Sequence, residues 1–228
     1  MSYPIKYPTP QGANIQIFNA VTNTAGTTAN QTWVKPQGAS FVWFTLIGAG
    51  GGGDSGTAQG GGSGAVTNCM VPAFLIPDIL QIVIGKGGTT SPTATNTSII
   101  YQQKNGTGYT LLTANAGASG AAGGTGGLAS ISNYFSAMGF FQSVAGAPGG
   151  SAGTDGLSNT TFLCGGTDST TSTANYEYST YLGAGFFQMQ PIIVSLSNAL
   201  GVLKTGIGSG GASNDTFGGN GLVVIISW

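Results

Sequence analysis

The chain has 228 residues, enough for one sizeable all-β domain or two small ones, and 42 of them are glycine while only 5% are charged. Ordinary domains carry about 7% glycine and about 25% charged residues. Histidine is absent and the basic residues are Lys6, Lys35, Lys86, Lys104 and Lys204, which excludes an imidazole base, a Ser-His-Asp triad, a His-bearing zinc site and a guanidinium fork for phosphate.

In chain order, β-branched and aromatic residues cluster between glycines and predict strands at 15–18, 41–47 (FVWFTLI), 65–71, 79–84 (ILQIVI), 98–103, 109–113, 192–196 and 222–228 (LVVIISW). The stretch 104–108 separates two of these runs, and its Asn105-Gly106 pair supplies the positive φ of a hairpin turn. Helix is disfavoured by so much glycine. The best candidate is the set Leu128, Ile131, Phe135 and Met138, whose spacing places them on one helical face; 195–203 is a second, interrupted by Gly201.

Between the strands lie glycine tracts at 48–65, 117–127, 146–156 and 206–221. None keeps a three-residue Gly-X-Y register, so collagen is excluded. Flexible linkers are one reading. The other is that at least two tracts are ordered, as extended polyproline-II-like segments or tight loops, because glycine lets backbones approach closely.

Hydrophobic residues reach 40% and the net charge is −1, unlike a disordered chain. The most apolar stretch, 70–84, is cut by Pro72, Pro77 and Asp78, so no membrane insertion is expected. The opening MSYPIKYPTPQG has no apolar core of a secretory signal. Cys69 and Cys164 form no metal or redox spacing and are expected to be buried free thiols. Asp54, Asp78, Asp155, Asp168, Glu177 and Asp215 are scattered singly, so no carboxylate pair or calcium loop is written in the sequence.

Two motifs touch on nucleotide binding and both fall short. Gly48-Ala-Gly50-Gly-Gly-Gly53 has the G-x-G-x-x-G spacing after a strong strand, but the next residues, DSGTAQGGGSGA, cannot open a helix to hold a pyrophosphate. At 84–90 (IGKGGTT) a phosphate loop would need glycine at position 80, which is Leu80; the stretch reads as a strand end and a glycine turn. The remaining candidate is aromatic. Tyr176, Tyr178, Tyr181, Phe186 and Phe187 lie in a Ser/Thr-rich stretch suited to surface recognition, against the alternative that they are core or subunit-interface residues.

Trp33-Val-Lys-Pro36-Gln-Gly38, the strand 41–47 and Gly48 to Gly53 together resemble the opening of glycine-rich domains of bacteriophage tail-fibre proteins and large DNA virus structural proteins. Further along, 78-DILQIVIGKGG-88, 111-LLTANAG-117 and 221-GLVVIISW-228 resemble later strands of that family in the same order. The stretch 134–205 is poorer in glycine than the family pattern, and the resembling motifs span residues 32–228. The resemblance implies no catalytic residues. It implies a virion component, a β-sandwich decorated by glycine loops, serving as adhesin or surface layer.

The resulting expectation is an all-β fold, a jelly-roll-like two-sheet β-sandwich with long glycine-rich loops. Residues 1–31 are expected as an N-terminal arm for docking or attachment and 32–228 as the sandwich domain. The expected function is a non-enzymatic structural protein of a virus particle, on the capsid surface or a tail-fibre tip, assembled in the host cytoplasm into the virion. Expected partners are other copies of the chain, other virion proteins and a host surface glycan or protein, with no nucleic acid, metal or cofactor. Two other classes remain open: an extracellular carbohydrate-binding or matrix protein, and a self-assembling filament subunit.

Overall fold

A computed structural model describes residues 12–21, 29–54, 56, 59–89, 93–130, 134–135, 139–150, 207–211 and 217–228. Among them are nine strands: β1 (Asn14–Asn19), β2 (Gln31–Val34), β3 (Phe41–Ile47), β4 (Val66–Pro72), β5 (Ile79–Val83), β6 (Thr97–Gln102), β7 (Gly108–Ala114), β8 (Phe140–Val144) and β9 (Leu222–Ser227). They form a five-stranded sheet ordered β1-β9-β3-β4-β8 and a four-stranded sheet ordered β2-β5-β6-β7. Every neighbouring pair is antiparallel.

The two sheets bury one core between them. Alternation along β3 turns Val42, Phe44 and Leu46 inward, beside Cys69 and Val71 of β4 and Val223 and Ile225 of β9. The facing sheet contributes Trp33, Leu80, Ile82, Ile99 and Leu112 to the same cluster. Trp33 meets Phe44 edge to face across the sheets, with ring centroids 6.0 Å apart. Each such fully buried side chain contributes about 1.5–3 kcal/mol.

Seven of the expected strands are present within a residue or two of their expected limits; 192–196 and the helix candidate 195–203 lie outside the described residues. β2 and β8 are additions. The sandwich is as expected, while these strand orders do not by themselves establish a jelly-roll winding. Of the helix candidate 128–138, Leu128 is 76% exposed and Phe135 only 4%, so these two do not share a buried face; Ile131 and Met138 lie outside the described residues. The helical pieces among the described residues are the three-residue turns Ala73–Leu75 and Gly120–Ala122.

The hairpin between β6 and β7 closes at the expected Asn-Gly pair. Gly106 has φ +86°, its amide bonds to the Gln103 carbonyl at 3.0 Å, and the Thr107 amide bonds to Asn105 Oδ1 at 2.9 Å. Residues 14–19, expected within the N-terminal arm, form an edge strand on β9 of the same chain. At the end of the sandwich remote from the glycine tracts, Lys35 Nζ bonds to Asp78 at 2.8 Å and to the carbonyls of Ala73 and Ile76, tying β2 to the turn after β4.

Candidate functional site

The glycine tracts leave the sandwich at one end and pack on one another. β3 runs directly into tract 48–53, and tract 60–65 leads directly into β4. From that second tract, the amides of Gly60 and Ser63 bond to the carbonyls of Gly150 and Ala147. Those of Gly61 and Gly64 bond to Gly211 and Gly208, and those of Gly62 and Ala65 to Ala118 and Asn115, all at 2.7–2.9 Å. Each neighbour is therefore met once every three residues, which is the three-residue turn of a polyproline-II helix, a conformation without internal hydrogen bonds.

Tract 48–53 is equally surrounded. The amides of Gly48 and Gly51 bond to the carbonyls of Ala65 and Gly62, and the carbonyls of Ala49 and Gly52 accept from Gly117 and Gly120. Gly50 donates to the Gly219 carbonyl and accepts from the Gly88 amide, while the Gly51 carbonyl accepts from Gly211. The result is a lattice of extended segments in which backbone groups satisfy one another laterally.

Space rather than conformation explains six central glycines of this lattice. Gly48, Gly50, Gly51, Gly61, Gly62 and Gly117 lie outside the left-handed region, so their backbones would accept other residues. A Cβ on any of the six would overlap a neighbouring backbone carbonyl, for example that of Ala118 at Gly51 and that of Thr125 at Gly62. The described parts of the tracts are thus ordered and packed, as one of the two readings of the sequence had it.

Where the lattice meets the sandwich or solvent, side chains take the place of the missing backbone. Thr97 Oγ1, fully buried, accepts from the Gly85 amide at 3.0 Å and donates to the Ile47 carbonyl at 2.7 Å. Ser63 Oγ accepts from the Ala147 amide, Asn220 Oδ1 from Gly87 and Asn96 Oδ1 from Ala116. Sequence pattern does not single out these residues. Their only signal is a short hydroxyl or amide side chain set within or beside a glycine tract.

At the end of the lattice remote from the sandwich the described tracts turn back. Asp54 and Gln59 exchange both backbone bonds, at 2.9 and 3.2 Å, across the first return. The turn at 119–124 closes where the amides of Ala122 and Gly124 both donate to the Ser119 carbonyl at 2.9 Å, with Gly123 at φ +84°. The Gly218 amide bonds to the Gly88 carbonyl, and Gly211 bonds to Gly51 and Gly61, which brings these glycines beside the first two turns. Next to them runs an uncharged groove of about 380 Å³, lined by Thr93, Asn96, Asn115, Ala116, Thr125 and Leu128.

Both nucleotide-like motifs are absorbed into the lattice. Gly48 to Gly53 enters it as an extended tract with no helix behind it, so no helix N-terminus is offered to a phosphate. Residues 85–89, which the sequence suggests as a glycine turn, are instead another lattice tract, since Gly88 bonds to Gly50 and Gly218. Tyr176, Tyr178, Tyr181, Phe186 and Phe187 lie outside the described residues, as does Cys164. Cys69 is a free thiol in the core, and burial pushes its pKa up to about 12. Among the described residues no three His, Cys, Asp or Glu side chains cluster as metal ligands, and no helix is long and apolar enough to cross a membrane.

The model of a glycine-rich domain matches residues 22–228. The chain belongs to this glycine-rich domain family. None of the curated proteins compared with the chain is similar to it. The match takes in both sheets except β1, together with every described tract, so sandwich and lattice are parts of one glycine-rich domain.

Proposed function

We propose that this glycine-rich domain is a non-enzymatic structural protein of a virus particle, carried on the capsid surface or at a tail-fibre tip, with the end of its lattice remote from the sandwich directed outward. The observation that supports this most is the gathering of the 54–59 return, the 119–124 turn and the glycines Gly88, Gly211 and Gly218 at one end of a lattice held chiefly by backbone hydrogen bonds. A stiff scaffold presenting several turns suits recognition of a surface more than turnover of a substrate. Its partners are further copies of the chain, neighbouring virion proteins and, at the turns, a host surface glycan or protein.

The test is mass spectrometry of purified particles from the source of the gene, followed by labelling of the chain on the particle surface. Finding it in stoichiometric amount supports the reading; finding it only in cell fractions overturns it. Host contact is tested separately by placing lysines at Ala121 and Ala122, which are exposed on the turn after Ser119. Loss of cell binding at unchanged melting temperature supports contact through the turns, and unchanged binding removes that part of the proposal.

A further inference from the structure

Among the described residues no strand pairs with the outer side of β1, and the hydrogen-bond alternation says which residues face it. Phe41 and Trp228 exchange both amide–carbonyl bonds, at 3.0 and 3.1 Å, so residues 222, 224 and 226 of β9 face β3 while 223, 225 and 227 face β1. Their partners on β1 are Phe18, Gln16 and Asn14. Ile15, Ile17 and Asn19 therefore turn their amides and carbonyls away from the sheet. Asn19 agrees, because its carbonyl accepts from Gln31 Nε2 at 2.7 Å.

Natural sheets blunt such edges with charge, proline, bulges or short strands. β2 is only four residues long and runs into Lys35 and Pro36, and β7 carries a register shift against β6. β1 has none of these devices: its six residues, NIQIFN, pair with β9 in unbroken register. Ile15 and Ile17 are 51% and 52% exposed on the face they share with Val224 and Ile226. With no charge on the strand and a net charge of −1 on the chain, two copies meet little electrostatic repulsion.

We propose that β1 pairs antiparallel with β1 of a second copy across a two-fold axis, joining the two five-stranded sheets into one. An isologous contact of this kind needs one surface that complements itself, and an edge strand does so when it runs antiparallel to its own image. Two registers satisfy the outward groups. Placing Ile17 on the axis sets Ile15 against the partner's Asn19, whose carbonyl is already bonded to Gln31. Placing Gln16 on the axis sets Ile15 against the partner's Ile17 twice, covers both isoleucines and leaves that carbonyl alone. The second register is the one inferred. It goes beyond the proposed function by naming the surface through which copies meet, and it holds whatever particle the chain serves.

Gln16 would face the partner's Gln16 as a non-hydrogen-bonded pair, with Cα atoms about 4.5 Å apart, within the range of about 4.4–6.8 Å that a disulfide spans. The full chain carrying Gln16→Cys should form a disulfide-linked dimer on mild oxidation, reversed by dithiothreitol, while Asn105→Cys at the hairpin tip and the unsubstituted chain should not. By native mass spectrometry the unsubstituted chain should be dimeric at micromolar concentration. Ile17→Lys should weaken that dimer at least about tenfold while the circular dichroism spectrum of the folded chain stays unchanged. A monomeric unsubstituted chain, or Gln16→Cys crosslinking no better than Asn105→Cys, overturns the inference. Association that survives Ile17→Lys overturns this edge but leaves assembly through another surface; absence from particles overturns the virion reading and leaves the edge.

Discussion

In the sandwich, Trp33 and Phe44 reach across two sheets to fill the space between them, and removing either ring would open a cavity. In the lattice, Gly51 and Gly62 bring backbones so close that adding one methyl group collides with a carbonyl. The same chain thus builds one core from side chains and another from their absence. In the first, stability comes from apolar area removed from water; in the second, from lateral hydrogen bonds whose groups would otherwise be buried and unpaired. Opposite substitutions should therefore break the two halves.

The largest effect is expected from Gly51→Ala. Its Cβ meets the Ala118 backbone, which cannot rotate aside, so the loss should reach about 4 kcal/mol or more and show as insoluble or unfolded protein on expression. Phe44→Ala should cost about 3–5 kcal/mol in urea unfolding through the cavity it leaves. If Gly51→Ala proves milder than Phe44→Ala, the lattice is more yielding than its packing indicates.

Thr97→Val tests the seam between the halves. It keeps the shape but leaves the Gly85 amide and the Ile47 carbonyl without their buried partner, for a loss of about 3 kcal/mol. Gly123→Ala sharpens the comparison from the other side. Nothing lies within 4 Å of its added Cβ, so only the positive φ resists, and the cost should be about 1 kcal/mol. Equal losses for Gly51→Ala and Gly123→Ala would mean that space does not distinguish the tract glycines from the turn glycines.

The smallest effect concerns pH. Burial raises the Cys69 pKa from 9.0 to about 12, so the folded chain keeps a proton that the unfolded chain releases in between. The Cys69 contribution should be fully present below about pH 9 and decline as pH rises toward 12. Comparing unfolding midpoints of the unsubstituted chain and Cys69→Ala at about pH 8 and about pH 10.5 isolates it: the gap between them should shrink or reverse at the higher pH.

Legibility follows the same division. Strands rich in buried apolar residues, such as β3 and β9, can be read from clustered β-branched and aromatic residues and bounding glycines. β2 escapes because only Trp33 of its four residues is buried, which is too little to set a period. β8 escapes because Phe140 and Phe141 come after a stretch whose spacing suggests a helix, and only pairing with β4 makes it a strand. The tract positions are visible as glycine, but the three-residue alternation of neighbours is not. It depends on which distant tract lies alongside, and glycines in a row carry no side-chain pattern to encode that. The aromatic stretch 176–187, the sharpest site expectation, lies outside the described residues and is neither supported nor weakened by them.

The junctions between strand and tract have a mechanical consequence. The Ile47 ladder position on β3 gives way at once to Gly48, whose amide is bonded to Ala65 just before β4, and Gly221, bonded to Gly85, leads at once into β9. No unpaired hinge residue separates the sheet from the lattice at these points. A load applied at the turns passes along covalently continuous chain into the middle of the five-stranded sheet, so the molecule should respond to force as one stiff rod rather than as a head swivelling on a base.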